Sequence, residues 1–122
     1  MILVDTSVWM DHLRLGEAKL EELLNGCKIL AHPFVIGELA CGNLKNRDTV
    51  LSLLRALPAS PLATDDEVLF YIERNSLMGK GIGYIDAHLL ASVSLAGDAK
   101  LWTRDKRLGT LAASMNLAFA AV

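Results

Sequence analysis

Short apolar runs alternate with stretches of helical spacing along the whole of this chain, and that alternation limits the folds open to it. Met1–Val4 reads as a short buried strand. Thr6 or Ser7 caps a helix from about Ser7 to Leu15, in which Val8, Trp9 and Leu13 share a face. Glu17–Leu24 carries a second helix, with Leu20, Leu23 and Leu24 on one stripe and Asn25-Gly26 as its stop. Cys27–Ala31 has strand length. His32-Pro33 opens the next helix, with proline where its missing N–H does no harm, and the stop comes near Gly42-Asn43. Arg47–Leu57 is amphipathic and closed by Pro58, with Leu62-Ala63 as a minor strand after Pro61. Thr64 or Asp65 caps a helix ending at Met78-Gly79, with Asp66 and Glu67 favourable near its positive end. A loop, Gly79–Gly83, leads into a helix from about Tyr84 to Ala96. Lys100–Thr103 is a strand, Lys106–Ser114 a last helix, and Leu117–Ala120 a terminal strand. Strands separated by helices specify an α/β fold with a parallel sheet covered on both faces.

With 122 residues and no repeat or linker, residues 1–122 are expected to form one domain. Apolar residues make up 52% of the chain, which is high for a small monomer and predicts a surface that meets a partner or a second copy. No apolar run nears membrane-spanning length, and no basic region precedes the first strand, so the expected location is the cytoplasm. Cys27 and Cys41 have neither metal nor redox spacing and read as buried thiols. A net charge of −2 gives no bulk attraction to nucleic acid and leaves that question to local patches.

Four acidic residues stand at corresponding junctions. Asp5 follows the first strand, and Asp105 follows the strand Leu101–Thr103. Glu38 lies in the helix after the second strand, flanked by Ile36, Leu39 and Ala40. Asp86 sits in the first turn of its helix. Each has a plain structural reading: Asp5 and Asp105 as N-caps, Asp86 as a complement to the helix dipole, Glu38 as a surface carboxylate. In a parallel sheet, however, strand ends of like direction lie along one edge, and ligands bind there. Carboxylates gathered at that edge repel one another unless a cation sits among them. A hard divalent ion, Mg2+ or Mn2+, suits an all-oxygen set, and such an ion can activate water and stabilise the charge developing on a phosphodiester.

The segments Val4–Trp9, Pro33–Leu39, Tyr84–Ala91 and Leu101–Asp105 resemble the four signature segments of PIN-domain ribonucleases, most closely those of VapC-type toxins from bacterial toxin–antitoxin pairs. The resemblance covers essentially the whole chain. It implies a three-layer α/β/α fold with a mainly parallel five-stranded sheet of order 3-2-1-4-5, and metal-dependent hydrolysis of RNA. It matches Asp5, Glu38, Asp86 and Asp105 to the family's acidic quartet, which holds one or two Mg2+ or Mn2+ ions. Thr6 or Ser7 and Thr103 match polar positions lining the same site. A small antitoxin of the VapB type is the implied partner, and the apolar excess fits a homodimer.

Arg104, between Thr103 and Asp105, reads as a contact to an RNA phosphate. Lys106 and Arg107 read equally as phosphate contacts or as a solvated helix start, and Lys80 mainly as part of a flexible connection. His12, His32 and His88 share no metal spacing, and Trp9 and Trp102 read as core or interface. The rival reading is a PIN-like module that binds RNA or protein without cutting. A phosphatase of the haloacid-dehalogenase kind needs a second aspartate where Ser7 stands.

Overall fold

The first strand lies at the centre of the sheet. In the computed structural model, which describes residues 1–120, Ile2–Val4 forms β1 with all three side chains buried. Both of its edges are paired in parallel. β2 (Ile29–Leu30) aligns Ile29 with Ile2, and β3 (Lys100–Trp102) aligns Leu101 with Leu3. The sheet therefore has three strands in the order β2-β1-β3. A strand covered on both faces has no polar side, which is why this one is a continuous apolar run.

The helices are α1 (Thr6–Leu15), α2 (Ala18–Asn25), α3 (Pro33–Ala40), α4 (Arg47–Ala56), α5 (Asp65–Arg74), α6 (Tyr84–Ala96) and α7 (Lys106–Ser114). They complete a three-layer α/β/α arrangement. α3 packs on α1 and α4, and α6 packs on α5 and β3. Leu3, Val4, Val8, Leu89, Leu90 and Leu101 are fully enclosed in one core. Every residue from Ala87 to Val93 is buried, so α6 has no solvent face over two turns. That burial fixes the start of α6, and with it Asp86.

Local chemistry sets the helix starts. Thr64 Oγ1 accepts from the Glu67 N–H at 3.1 Å while Glu67 Oε1 accepts from the Thr64 N–H at 2.9 Å, a reciprocal cap for α5. α3 begins at Pro33, and His32 Nδ1 accepts from the Phe34 N–H at 3.0 Å.

The five-stranded sheet of order 3-2-1-4-5 is not what forms. The two expected outer strands reduce to single bridges, Ala31 with Ala59 and Leu101 with Ala118. Leu62-Ala63 lies outside any strand, and the contact falls earlier, between two prolines. There the Ala31 N–H donates to Pro58 O and the Ser60 N–H to Ala31 O. Neither Pro58 nor Pro61 has an N–H to donate, so the segment makes one step of ladder and no more. On the other edge, Asn116 takes a left-handed conformation (φ 58°), and only then does the chain meet Leu101.

Two further expectations are corrected. α5 ends at Arg74, short of Met78-Gly79, because Ser76 adopts φ 52° and cannot continue a right-handed helix. Cys27 and Cys41 are exposed rather than buried. Trp9 and Trp102 are core residues. Among the described residues no helix is long and apolar enough to cross a membrane.

Candidate active site

The site grows from the end of β1. The Asp5 N–H donates to Trp102 O at 2.9 Å, which carries the β1–β3 pairing one step further and pins Asp5 at the carboxyl edge of the sheet. Its side chain is buried and turns back on three donors. Oδ1 accepts from the Thr6 N–H at 2.8 Å and so caps α1. Oδ2 accepts from Ser7 Oγ at 3.0 Å and from Thr103 Oγ1 at 2.7 Å. Asp5 is thus a cap and the hub of the site at once.

Glu38 and Asp105 reach this hub through short links, while Asp86 is held by its own helix start. Thr6 Oγ1 donates to Glu38 Oε1 at 2.6 Å, tying α3 to the start of α1. Thr103 Oγ1 accepts from the Asp105 N–H at 3.1 Å, and Asp105 Oδ1 accepts from the Leu108 N–H at 2.9 Å to cap α7. Asp86 Oδ2 accepts from the Gly83 N–H at 3.1 Å across the first turn of α6. Thr6, Ser7 and Thr103 therefore join the strand ends to the helix starts, and Glu38, although exposed, is not a free surface carboxylate.

The sign that Asp86 lies within reach of the other three acids is electrostatic. Burial pushes the Asp86 carboxyl above its ordinary pKa, and the negative charges of Asp5, Asp105 and Glu38 push it further, against the opposing Gly83 N–H. Glu38, Asp86 and Asp105 each spend one oxygen on a local bond. Glu38 Oε2, Asp86 Oδ1 and Asp105 Oδ2 have no hydrogen-bond partner among the described residues. An all-oxygen set with spare lone pairs and mutual repulsion is the chemistry that hard cations such as Mg2+ and Mn2+ fit. Among the described residues no three acidic, histidine or cysteine side chains converge closely enough to enclose a metal ion.

Arg104 is placed differently from a free phosphate contact. Its backbone N–H donates to Ser7 Oγ at 3.0 Å, and its guanidinium reaches away to Asp11 on α1 and to Glu17 beside α2. Those bonds hold its pKa above the ordinary value. Asp11 and Glu17 were not legible as members of this network, because they lie 93 and 87 residues from Arg104. The one local hint is that Asp11 stands four positions after Ser7 and so shares its helix face.

The two buried histidines lie apart from the acids' hydrogen bonds. The His88 ring sits edge-on to Phe34 and Tyr84, at centroid distances of 4.7 and 4.6 Å, with Nε2 3.3 Å from Asp65 Oδ1. His32 is lowered to a pKa of about 4 by its burial and by the neighbouring His88.

Comparison with known proteins bears on the same residues. The family model described as the PIN domain matches residues 2–113. A protein named ribonuclease VapC32 from Mycobacterium tuberculosis strain H37Rv is 53% identical over 120 residues, covering 98% of this chain and 97% of its own length. The protein of the same name from strain CDC 1551 matches to the same extent.

Proposed function

Starting from the fact that this chain belongs to the PIN-domain family and is homologous to a VapC-type ribonuclease, we propose that it is a Mg2+- or Mn2+-dependent endoribonuclease toxin. It hydrolyses RNA phosphodiester bonds and is silenced by a cognate antitoxin of the VapB type. The observation that supports this reading is the hydrogen-bonded run from Glu38 through Thr6 to Asp5 and from Asp5 through Thr103 to Asp105 at the carboxyl end of β1, with Asp86 near enough to feel the three charges.

The chain's residues divide the work. Asp5, held by three donors, is fixed in direction before any ligand arrives. Glu38, Asp86 and Asp105 offer their free oxygens toward a cation. Thr6, Ser7 and Thr103 hold the acids in register and lie close enough to meet substrate, with Arg104 beside them. A bound divalent ion would supply neutralisation of the acids, activation of water and stabilisation of charge at the phosphate. Hydrolysis of this kind leaves a 5′-phosphate on the downstream product and needs no histidine.

Exposed Leu62, Leu69, Phe70 and Leu95 support a homodimer. Phe70 and Leu95 line an apolar groove of about 420 Å3. The reading places the protein in the cytoplasm with its substrate.

A mixed RNA pool incubated with the full chain tests the reading. Cleavage is expected with Mg2+ or Mn2+, with 5′-phosphate ends, and is expected to stop on adding EDTA. RNA that is bound but never cut under these conditions would replace the enzyme with the non-cutting module.

A further inference from the structure

Beside the acids lies a basic cleft that none of these roles uses. It is an open surface cleft of about 520 Å3, lined by Lys80 from the Gly79–Gly83 loop and Lys106, Arg107, Thr110, Leu111 and Ser114 from α7. Lys80, Lys106 and Arg107 are exposed, and among the described residues none makes an ion pair. In a chain whose net charge is −2, three unneutralised cations around one cleft are a local reversal of sign.

Their position works against the fold itself. Lys106 and Arg107 are the first two residues of α7, where the helix dipole already presents positive charge. Cations are favourable at the other end of a helix and unfavourable here. An arrangement that costs stability locally points to a ligand that repays it. The Gly79–Gly83 loop, which supplies Lys80, packs against one of these cations. Gly81 has φ 81°, and a Cβ on it would lie 2.6 Å from Arg107 Cδ and 2.8 Å from Nη1. The loop backbone therefore lies close against the Arg107 side chain, at a positive φ that favours glycine.

The cleft adjoins the acids on both walls. Lys106 follows Asp105 directly, and the Lys80 loop ends at Gly83, whose N–H holds Asp86. A ligand spanning both places needs anionic groups for the cations and a phosphodiester for the acids. We propose that this cleft is the track for the backbone of single-stranded RNA flanking the cut. Lys80, Lys106 and Arg107 take the phosphates next to the scissile one, while the Thr110 and Ser114 hydroxyls, which donate to Lys106 O and Leu111 O, form the floor of the cleft without binding phosphate. The proposal rests on the nuclease reading above.

Binding of a short fluorescent oligoribonucleotide of mixed sequence, followed by anisotropy in EDTA so that nothing is cut, tests it. The variant Lys80→Gln, Lys106→Gln, Arg107→Gln is compared with wild type and with a control, Lys28→Gln, Lys45→Gln, Arg55→Gln. The cleft variant is expected to bind about tenfold more weakly or worse, and its log–log salt slope should fall by roughly 2, since each single-strand phosphate contact contributes about 0.7. The control should stay within about twofold. The cleft variant should also melt no lower than wild type, because it removes cations from a helix start.

Wild-type affinity in the cleft variant, equal weakening in the control, or no binding by wild type would each overturn the proposal. So would a polyglutamate peptide that binds more tightly than the RNA. Cleavage assays with Mn2+ separate this from the nuclease reading. RNA held in a cleft-dependent way but never cut leaves the track standing and removes the nuclease. RNA cut by the cleft variant with unchanged KM removes the track and leaves the nuclease.

Discussion

Asp86 is the residue at which stability and function pull apart. Burial and three neighbouring carboxylates all favour its neutral form, so its charge weighs on the metal-free fold. Asp86→Asn keeps the shape and the acceptor for the Gly83 N–H. It is expected to abolish RNA cleavage while leaving the metal-free protein as stable as wild type or more so. Mn2+ should raise the wild-type melting temperature, since a ligand of the native state alone stabilises it, and should move the variant much less. Melting curves with and without Mn2+ at fixed ionic strength check this. A variant melting well below wild type would make Asp86 a structural residue instead. Thr103 makes the opposite kind of contribution. Thr103→Val removes a donor to Asp5 and the acceptor of the Asp105 N–H. The expected loss is about 1–3 kcal/mol of stability together with most of the cleavage, and Thr103→Ser should restore both. Failure of serine to rescue would show that the methyl group, not the hydroxyl, matters. Arg104 was expected to meet an RNA phosphate, yet its guanidinium is committed to Asp11 and Glu17. If it acts as a brace for the Ser7–Asp5 link, Arg104→Ala and the pair Asp11→Asn, Glu17→Gln should both lower kcat with little change in KM. A raised KM in Arg104→Ala alone would return it to the phosphate.

The elements reward local signals and hide distant ones. α3 carries Glu38 and is capped by His32, whose imidazole is held to a pKa of about 4 against an ordinary 6.5. The unfolded chain takes up this proton near pH 6.5, and the folded chain does not until about pH 4. The contribution is therefore whole above pH 6.5 and is lost as the pH falls toward 4, by up to roughly 3 kcal/mol. His32→Asn keeps an acceptor for the Phe34 N–H without titrating. Urea unfolding from about pH 7 down to pH 4 should show a shallower acid loss for the variant than for wild type. Parallel losses would place the acid sensitivity elsewhere. Helices of this kind were readable because their signals are near neighbours. Thr64 and Glu67 announce α5, and the apolar run after Tyr84 announces α6 to its last residue. Asp5 and Asp105 were readable for the same reason, as strand-end residues next to helix starts. What the sequence hid depends on contacts across the chain. The failed outer strands follow from Pro58 and Pro61 sitting on either side of one bridge, and from the left-handed turn at Asn116. The early end of α5 depends on the conformation of Ser76. The hold of Asp11 and Glu17 on Arg104 carries no periodicity at all.

For the whole molecule, the exposed apolar surface around α5 and α6 is the feature from which a homodimer is predicted. Phe70 is 65% exposed beside a groove that includes Tyr71 and Leu95. Light scattering at micromolar concentration is expected to return twice the chain mass of 13.2 kDa, and Phe70→Glu is expected to return one chain. A wild-type monomer that stays soluble would overturn the homodimer. The central place of β1 has a separate consequence, in time rather than in space. β1 is made first, but its second edge waits for β3, and Asp5 waits for a hydroxyl 98 residues downstream. Contacts so distant in sequence form late, after the chain between them has closed into a loop. A nascent chain halted before Lys100 has two of the three strands, an incompletely held Asp5 and no Asp105. The hydrogen bonds that join Asp5 to Thr103 and Thr103 to Asp105 form only once residues 100–105 are free to fold back, so on the proposed reading cleavage waits for the end of synthesis.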